Sequence, residues 1–105
     1  MVKGNFSKQL YVIADNTWLS SAIFNPLYHN ADIAVTSLTK YYSAGSCICG
    51  AILTRNNNLY DHMMVFIKRN GLHVSPLNCQ LVSTQIVSLK DRIEKSSATT
   101  IKVVK

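Results

Sequence analysis

The sequence has no long uninterrupted apolar segment. Its longest apolar runs, Ile48 to Leu53 and Met63 to Ile67, are far shorter than the roughly 20 residues that a membrane-spanning helix needs. The segment from Met1 to Leu10 also lacks the apolar stretch of a secretory signal peptide. These absences argue against a helical membrane protein, and they predict a soluble, cytoplasmic chain with no membrane partner.

Acidic residues are also few. Eleven Lys and Arg against five Asp and Glu give a net charge of +6, which raises the question of a nucleic-acid partner. However, the basic residues are scattered, with only Lys68 and Arg69 adjacent, and the sequence contains no glycine-aromatic RNA-binding motif. The charge pattern therefore favours a solvated basic surface and predicts no nucleic-acid binding.

The chain has only three cysteines, Cys47, Cys49 and Cys79, so they cannot all pair with one another. Unpaired thiols are typical of a reducing compartment. The Cys-x-Cys spacing, with His62 and His73 well separated from it, does not match a zinc site. We interpret the cysteines as small buried apolar side chains and predict no metal site.

Apolar residues make up 48% of the 105 residues and charged residues only 15%, which indicates one modest domain or part of one. Apolar runs predict strands near residues 10–15, 33–38 and 48–54. Such strands are expected to be parallel where long crossovers connect them. The predicted fold class is α/β.

Polar breaks and Pro26 predict a loop and a short helix over residues 18–30. A helix is predicted near residues 59–69, stopped by Asn70 and Gly71. A second helix is predicted near residues 76–92, with Ser75 as its N-cap. Apolar residues keep a helical spacing from about residue 92 to the end of the sequence.

Polar residues that could bind a ligand or take part in catalysis end or follow the first two predicted strands. Asp15 ends the first strand, while Ser37, Thr39 and Lys40 follow the second. The carboxyl ends of parallel strands converge on a ligand crevice, so Asp15 and Lys40 are expected to face one site. A lysine suits a Schiff base with pyridoxal phosphate, and a carboxylate suits its protonated ring nitrogen. On spacing alone, a turn at Asp15 and a solvated strand end at Lys40 stay open as alternatives.

A wider set of motifs resembles the transsulfuration family of pyridoxal-phosphate enzymes. This family of Cys/Met metabolism includes cystathionine β-lyase, cystathionine γ-lyase and synthase, and the homoserine sulfhydrylases. Trp18 looks most like the bacterial cystathionine β-lyases, whereas Ser75-Pro76-x-Asn78 is also similar to the sulfhydrylases, so the subfamily is open. The motifs are Val12-Ile13-Ala14-Asp15-Asn16-Thr17-Trp18, Asn25-Pro26-Leu27, residues 31–41 ending in Ser37-Leu38-Thr39-Lys40-Tyr41, Gly50 with Ile52, Ser75 to Cys79, and Ser88-Leu89 with Arg92.

The resemblance implies a fold and a set of roles. The fold would be part of the cofactor-binding large domain of an aspartate-aminotransferase-like (fold type I) enzyme, a mostly parallel sheet with flanking helices. Lys40 would bind the cofactor covalently and shuttle protons, Asp15 would pair with the ring nitrogen, and Ser37 and Thr39 would hold the phosphate. The implied reaction is a carbon–sulfur β-elimination on an amino acid such as cystathionine, and the implied assembly is a homo-tetramer.

The sequence also departs from the family pattern. The family usually has a glycine pair and then an acid after Lys40-Tyr41, but Cys47 stands at the acid position, and Thr84-Gln85 replaces a pair that usually contains glycine. The phosphate-capping glycine loop, the aromatic residue that stacks on the ring and the C-terminal domain have no counterpart.

These gaps suggest an internal piece of a longer enzyme. We expect residues 1–92 to form a partial cofactor-binding domain and residues 93–105 to begin the helix that leads to a missing C-terminal domain. The piece is expected to be inactive alone. The alternatives are a non-catalytic remnant that associates with itself or with a full-length homologue and, more remotely, a small basic binding module.

Overall fold

A three-stranded sheet organises the first half of the chain in the computed structural model, which describes residues 10–104. The strands are β1 (Ile13–Asp15), β2 (Ile33–Ser37) and β3 (Gly50–Thr54), with β2 in the centre. All three lie where apolar runs predict them, although β1 is shorter than predicted. Residues 1–9 and 105, which include most of the segment without a signal-peptide pattern, lie outside the described residues.

β1 and β2 are parallel, and Asp15 pairs with Val35 in their register. The connection between them contains a short helix α1 (Ser20–Ile23) and a 3-10 helix (Pro26–His29). The Asn25 side chain accepts a hydrogen bond from the Leu27 N–H and caps the 3-10 helix, which begins at Pro26. This connection is long enough to return the chain to the start of the sheet, so the predicted crossover is confirmed.

β2 and β3 are antiparallel, so the expectation of a mostly parallel sheet is wrong for this pair. Their connection, residues 38–49, consists of turns and contains no crossover helix. The Leu38 N–H donates to the Cys49 carbonyl at 2.9 Å, which closes the loop directly beyond the last paired residues, Ser37 and Gly50. A loop closed in this way can only return the chain in the opposite direction.

Helix α2 (Asn57–Arg69) follows β3 and agrees with its prediction. The Asn56 side chain accepts a hydrogen bond from the Leu59 N–H at 3.2 Å and caps the N-terminus. The helix stops at Asn70 and Gly71, where Gly71 has a φ of +64° that an L side chain rarely adopts.

The second predicted helix is two helices, α3 (Pro76–Ile86) and α4 (Leu89–Val104). Ser75 caps α3 by accepting from the Asn78 N–H, as predicted. The Ser88 N–H then donates to the Gln85 carbonyl, a tighter turn than an α-helix allows, while the Ser88 carbonyl accepts the first hydrogen bond of α4. The predicted domain boundary between residues 92 and 93 therefore falls inside α4.

The main apolar core lies beneath the turn after β2. Tyr42, Leu89 and Ile93 are buried together, so the core joins that turn to α4; the half-buried side chains packed against it are Leu38, Tyr41 and Val82. Cys47 is buried as predicted, but Cys79 is exposed, so the interpretation of the cysteines as buried side chains is wrong there. Among residues 10–104, no helix is both long enough and apolar enough to cross a membrane.

Candidate cofactor site

Asp15 is an exposed carboxylate at the carboxyl end of β1. Hydrogen bonds from the Thr17 hydroxyl and from the Thr17 N–H, the latter at 2.9 Å to Oδ1, lower the pKa of Asp15. Both bonds favour the charged form because each donates a hydrogen to a carboxylate oxygen. Asp15 therefore stays ionised at neutral pH and is suited to accept a hydrogen bond from a cationic partner.

Thr17 connects this carboxylate to the neighbouring strand. Its Oγ1 accepts a hydrogen bond of 2.9 Å from the Ser37 N–H, and its side chain is buried. One hydroxyl therefore ties the end of β1 to the end of β2 and also contacts Asp15. Sequence reasoning treated Thr17 only as part of a turn and missed this role. The available signal was a hydroxyl residue two positions after a strand-end aspartate, the spacing of a side-chain turn.

Asp15 and Ser37 open onto the same cleft, which has a volume of about 530 Å³. The strand register places Asp15, Val35 and Ile52 on one face of the sheet, with Ser37 two residues further along β2. Apolar side chains at the end of α2 and just beyond it, Ile67 and Leu72, line the cleft as well. Its volume lies within the range of small-molecule sites, about 300–1,000 Å³. The Ser37 hydroxyl makes no hydrogen bond to any described residue.

Thr39 and Lys40 follow β2 in the turn and are not among the residues that line this cleft. The Thr39 hydroxyl donates to the Cys49 carbonyl at 3.3 Å and accepts from the Cys49 N–H at 3.0 Å. Its only proton is therefore committed to closing the loop. The Lys40 side chain is exposed. The structure thus brings two of the four predicted residues into one cleft and places the other two on the adjoining turn.

Both residues that follow Lys40 are held firmly. The Arg92 guanidinium donates through Nη1 to the Tyr41 carbonyl at 2.5 Å, and the same side chain also binds Ser88 and Gln85. The buried Tyr42 hydroxyl donates to Ser21 Oγ at 2.9 Å and accepts from the Ser21 N–H at 2.9 Å. These contacts tie the turn that carries Lys40 to α4 and, through the Tyr42 side chain, to α1.

The donor set fits one end of pyridoxal phosphate better than the other. An ionised Asp15 suits the protonated ring nitrogen, and the unengaged Ser37 hydroxyl can donate to a phosphate oxygen. Among residues 10–104, no Lys or Arg lines the cleft, so none of the described lining residues neutralises a phosphate dianion. The residues in the cleft that would hold the cofactor are therefore Asp15 and Ser37, and Lys40 lies on the adjoining turn.

Two cystathionine lyases are similar to this chain in sequence. The cystathionine γ-lyase of Dictyostelium discoideum is 34% identical over 89 residues, which are 84% of this chain and 23% of that protein. The cystathionine β-lyase of Neurospora crassa is 36% identical over 93 residues, which are 88% of this chain and 20% of that protein. The chain thus spans between a fifth and a quarter of the length of these relatives.

The fold is also similar to that of a solved cystathionine lyase structure. The crystal structure of cystathionine γ-lyase from yeast superposes with a TM-score of 0.75 and 33% identity, over 76% of this chain and 21% of that one. This match confirms the predicted α/β fold as part of such an enzyme's architecture. The family model described as "Cys/Met metabolism PLP-dependent enzyme" matches residues 2–105, nearly the whole sequence. Sequence and fold agree, and the chain belongs to the family of pyridoxal-phosphate-dependent enzymes of Cys/Met metabolism.

Proposed function

We propose that this chain is the part of a pyridoxal-phosphate-dependent carbon–sulfur lyase that contributes Asp15, Ser37, Thr39 and Lys40 to the cofactor site. The observation that carries the proposal is the Asp15–Thr17–Ser37 arrangement, in which one buried hydroxyl holds a strand-end carboxylate ionised beside a free serine hydroxyl. Membership of the family supplies the identity of the cofactor.

In this proposal, Asp15 accepts a hydrogen bond from the ring nitrogen and keeps a proton on it. When bound, the cofactor supplies an electron-withdrawing ring that stabilises negative charge at the substrate Cα. A carboxylate whose own pKa is lowered is a poor acceptor of that proton, so the positive charge stays on the ring nitrogen. Thr17 acts on the same step as a positioning residue, since its two hydrogen bonds orient the carboxylate.

Lys40 is the base and the acid of the proposed reaction. In this proposal its amine would take a proton from the substrate Cα and deliver it to the departing sulfur. The Lys40 side chain would rotate between the two positions, while the contacts of Tyr41 and Tyr42 tie its turn to α4 and α1. Ser37 donates to the cofactor phosphate, and Thr39 can do so only by giving up its hydrogen bond to Cys49.

The proposed substrate is a thioether amino acid of the cystathionine type, because the similar proteins are cystathionine β- and γ-lyases. β-Elimination from cystathionine would expel homocysteine as the thiol and leave a fragment that hydrolyses to pyruvate and ammonia. A γ-lyase or homoserine sulfhydrylase relative remains the alternative within the same chemistry. We keep the cytoplasm as the proposed location, in line with three unpaired cysteines.

The cofactor assignment can be tested by fixing pyridoxal phosphate on its lysine with borohydride. Modified Lys40 resists trypsin, so the digest should contain a single peptide of residues 9–55 that carries the cofactor mass. Lys102 is an exposed lysine on α4 and serves as the matched comparison. Labelling of Lys40 should saturate at a lower cofactor concentration than labelling of Lys102.

Two variants complete this test. Asp15→Asn should remove the preference for Lys40 over Lys102, because the ring nitrogen loses its ionic partner. Lys40→Ala also removes the trypsin site at position 40, so its digest should contain residues 9–55 without the cofactor mass and should leave labelling of Lys102 unchanged. Equal labelling of Lys40 and Lys102 in the unmodified chain would refute the proposed site.

We further propose that the chain alone turns over cystathionine no faster than free cofactor does. It spans about a fifth of the length of these relatives, and the family resemblance implies that the groups orienting the substrate carboxylate lie in the remaining length. Orientation supplies about 7–11 kcal/mol of a typical barrier, so its loss leaves little acceleration. Pyruvate release should be equal for the unmodified chain, Lys40→Ala and cofactor alone. A clearly faster unmodified chain would contradict this prediction.

The second candidate function is a non-catalytic chain that associates with itself or with a full-length homologue. It is favoured by apolar side chains that stay in solvent around α4, where Val87 is 86% exposed and Val103 and Val104 are each 80% exposed. Light scattering after gel filtration tests self-association. Replacing both Val103 and Val104 by Ser should shift a dimer to a monomer, whereas a monomeric unmodified chain would argue against self-association.

A further inference from the structure

The loop before β3 touches the first turn of α3 through two polar contacts. Cys47 Sγ donates weakly to the Asn78 carbonyl at 3.9 Å, and Asn78 Nδ2 donates to the Ile48 carbonyl at 3.1 Å. Asn78 is followed directly by Cys79. These contacts bring two cysteines that are far apart in sequence to one junction of the fold.

The distance between the two cysteines is bounded by this contact. Because a carbonyl oxygen lies about 2.8 Å from the next Cα, Cys47 Sγ lies within about 7 Å of the Cys79 Cα. Closing a disulfide from this separation requires the Cys79 side chain to rotate toward the loop and the loop to shift. The loop can shift because it packs weakly at this point, where the side chain of Ile48 is 88% exposed.

Cys49 lies on the same loop but has a different environment. Its Sγ contacts its own neighbour, the Gly50 carbonyl, and its backbone is bonded to Thr39. Among the described residues, no hydrogen bond joins Cys49 to α3. The chain therefore contains a built-in control, since Cys47 and Cys49 share one loop but only Cys47 is hydrogen-bonded to α3.

We propose that Cys47 and Cys79 are a modification site, at which a reversible disulfide forms by exchange with a small disulfide such as glutathione disulfide. The exposed Cys79 thiolate attacks one sulfur of the reagent, forms a mixed disulfide and expels the first thiol. The Cys47 thiolate then attacks the Cys79 sulfur, closes the protein disulfide and expels the second thiol. Two protein thiols are oxidised, and one small disulfide is reduced to two thiols.

A disulfide between Cys47 and Cys79 would affect the candidate cofactor site because it lies in the connection that carries Lys40. Cys47 belongs to the connection that also carries Lys40, and this connection is anchored to β3 through the Thr39–Cys49 hydrogen bonds. Oxidation replaces a weak contact of 3.9 Å to α3 by a covalent link. The disulfide therefore fixes the connection between β2 and β3 to α3 and limits how far Lys40 can move toward the cleft.

Peptide mapping of the whole chain tests the proposal. The chain is incubated with glutathione disulfide, remaining thiols are alkylated, and trypsin digestion is done without reduction. Trypsin yields one peptide of residues 41–55, with Cys47 and Cys49, and one of residues 70–90, with Cys79. We expect these two peptides joined by a disulfide, and we expect dithiothreitol to separate them.

Three variants assign the bond. Cys49→Ser should keep the joined peptide at the unmodified yield, whereas Cys47→Ser and Cys79→Ser should each lose it. The same oxidation in concentrated urea should remove the preference for Cys47, because the contact with Asn78 exists only in the folded chain. A joined peptide that survives Cys47→Ser but not Cys49→Ser, or no joined peptide from the folded chain, would overturn the proposal.

Discussion

Thr17 is expected to control both the stability of the sheet end and the charge of Asp15. Thr17→Val keeps the shape of the side chain and the backbone N–H that binds Asp15, but it removes the hydroxyl. The Ser37 N–H then loses its acceptor at 2.9 Å in a partly buried position. An unsatisfied buried donor costs about 1–3 kcal/mol, and we expect Thr17→Val to lower the free energy of unfolding by this amount.

Urea titration followed by circular dichroism measures this free energy, and hydrogen exchange reports on the Ser37 amide itself. In Thr17→Val, the Ser37 amide should exchange faster, while amides in α2 keep their protection. Thr17→Ser is the matched control because it keeps the hydroxyl and loses one methyl group, for which we expect about 1 kcal/mol or less. The reasoning is refuted if Thr17→Val is as stable as the unmodified chain and the Ser37 amide stays protected.

Three further results are expected. Thr36 Oγ1 is buried without a partner among the described residues, so Thr36→Val should raise the free energy of unfolding by about 1 kcal/mol in urea titration, and a loss would contradict this. Arg92→Lys cannot reproduce the bonds to Tyr41, Ser88 and Gln85, so it should lower that free energy by about 2 kcal/mol. Lys95→Arg on the exposed side of α4 is the control and should leave it unchanged in the same urea titrations. The lowered pKa of Asp15 means that its contribution to stability is complete above the ordinary aspartate pKa and is lost as the pH falls through the lowered value. Asp15→Asn should therefore flatten this acidic part of the pH–stability curve, and an unchanged curve would exclude the contribution.

The strands and the placement of Asp15 could be predicted because apolar runs bounded by turn residues mark strands directly in the sequence. The apolar run that ends in Asp15-Asn16-Thr17 predicts β1 and its stop, but the burial expected of that strand is wrong, since Ile13 is 61% exposed. The role of Thr17 could not be predicted in the same way. Its hydrogen bond to Ser37 depends on the register between β1 and β2, and no pattern within either segment encodes that register.

The direction of β3 and the break between α3 and α4 were the wrong parts of the fold prediction. Both depend on hydrogen bonds of single residues. The Leu38 N–H to Cys49 carbonyl bond turns the chain back, and Ser88 ends one helix and starts the next. Apolar periodicity continues across residues 87 and 88, so it favoured one helix where the backbone forms two.

Lys40 shows why residue type and order do not fix a site. It follows β2 as predicted, but it lies in the turn and is not among the residues that line the cleft with Asp15 and Ser37. The geometry of this turn depends on Arg92, which lies in α4 and binds the Tyr41 carbonyl across 51 positions of sequence. Only the motif resemblance, and not the spacing of the residues, connected Lys40 with Arg92.

The two halves of the candidate site are therefore stabilised by different parts of the molecule. Hydrogen bonds at the sheet end hold Asp15, whereas the core around Tyr42 and Leu89, together with Arg92, holds the turn that carries Lys40. Because mutations at separated sites without shared partners have nearly additive effects, a mutation that disturbs one half of the site should leave the other half unchanged. Thr17→Val should then change the titration of Asp15 without altering the borohydride labelling of Lys40 by a small aldehyde that lacks a ring nitrogen. Arg92→Lys should alter the labelling of Lys40 without changing the titration of Asp15. If each variant changes only its own readout, the two half-sites are independent; if either variant changes both readouts, they form one continuous network.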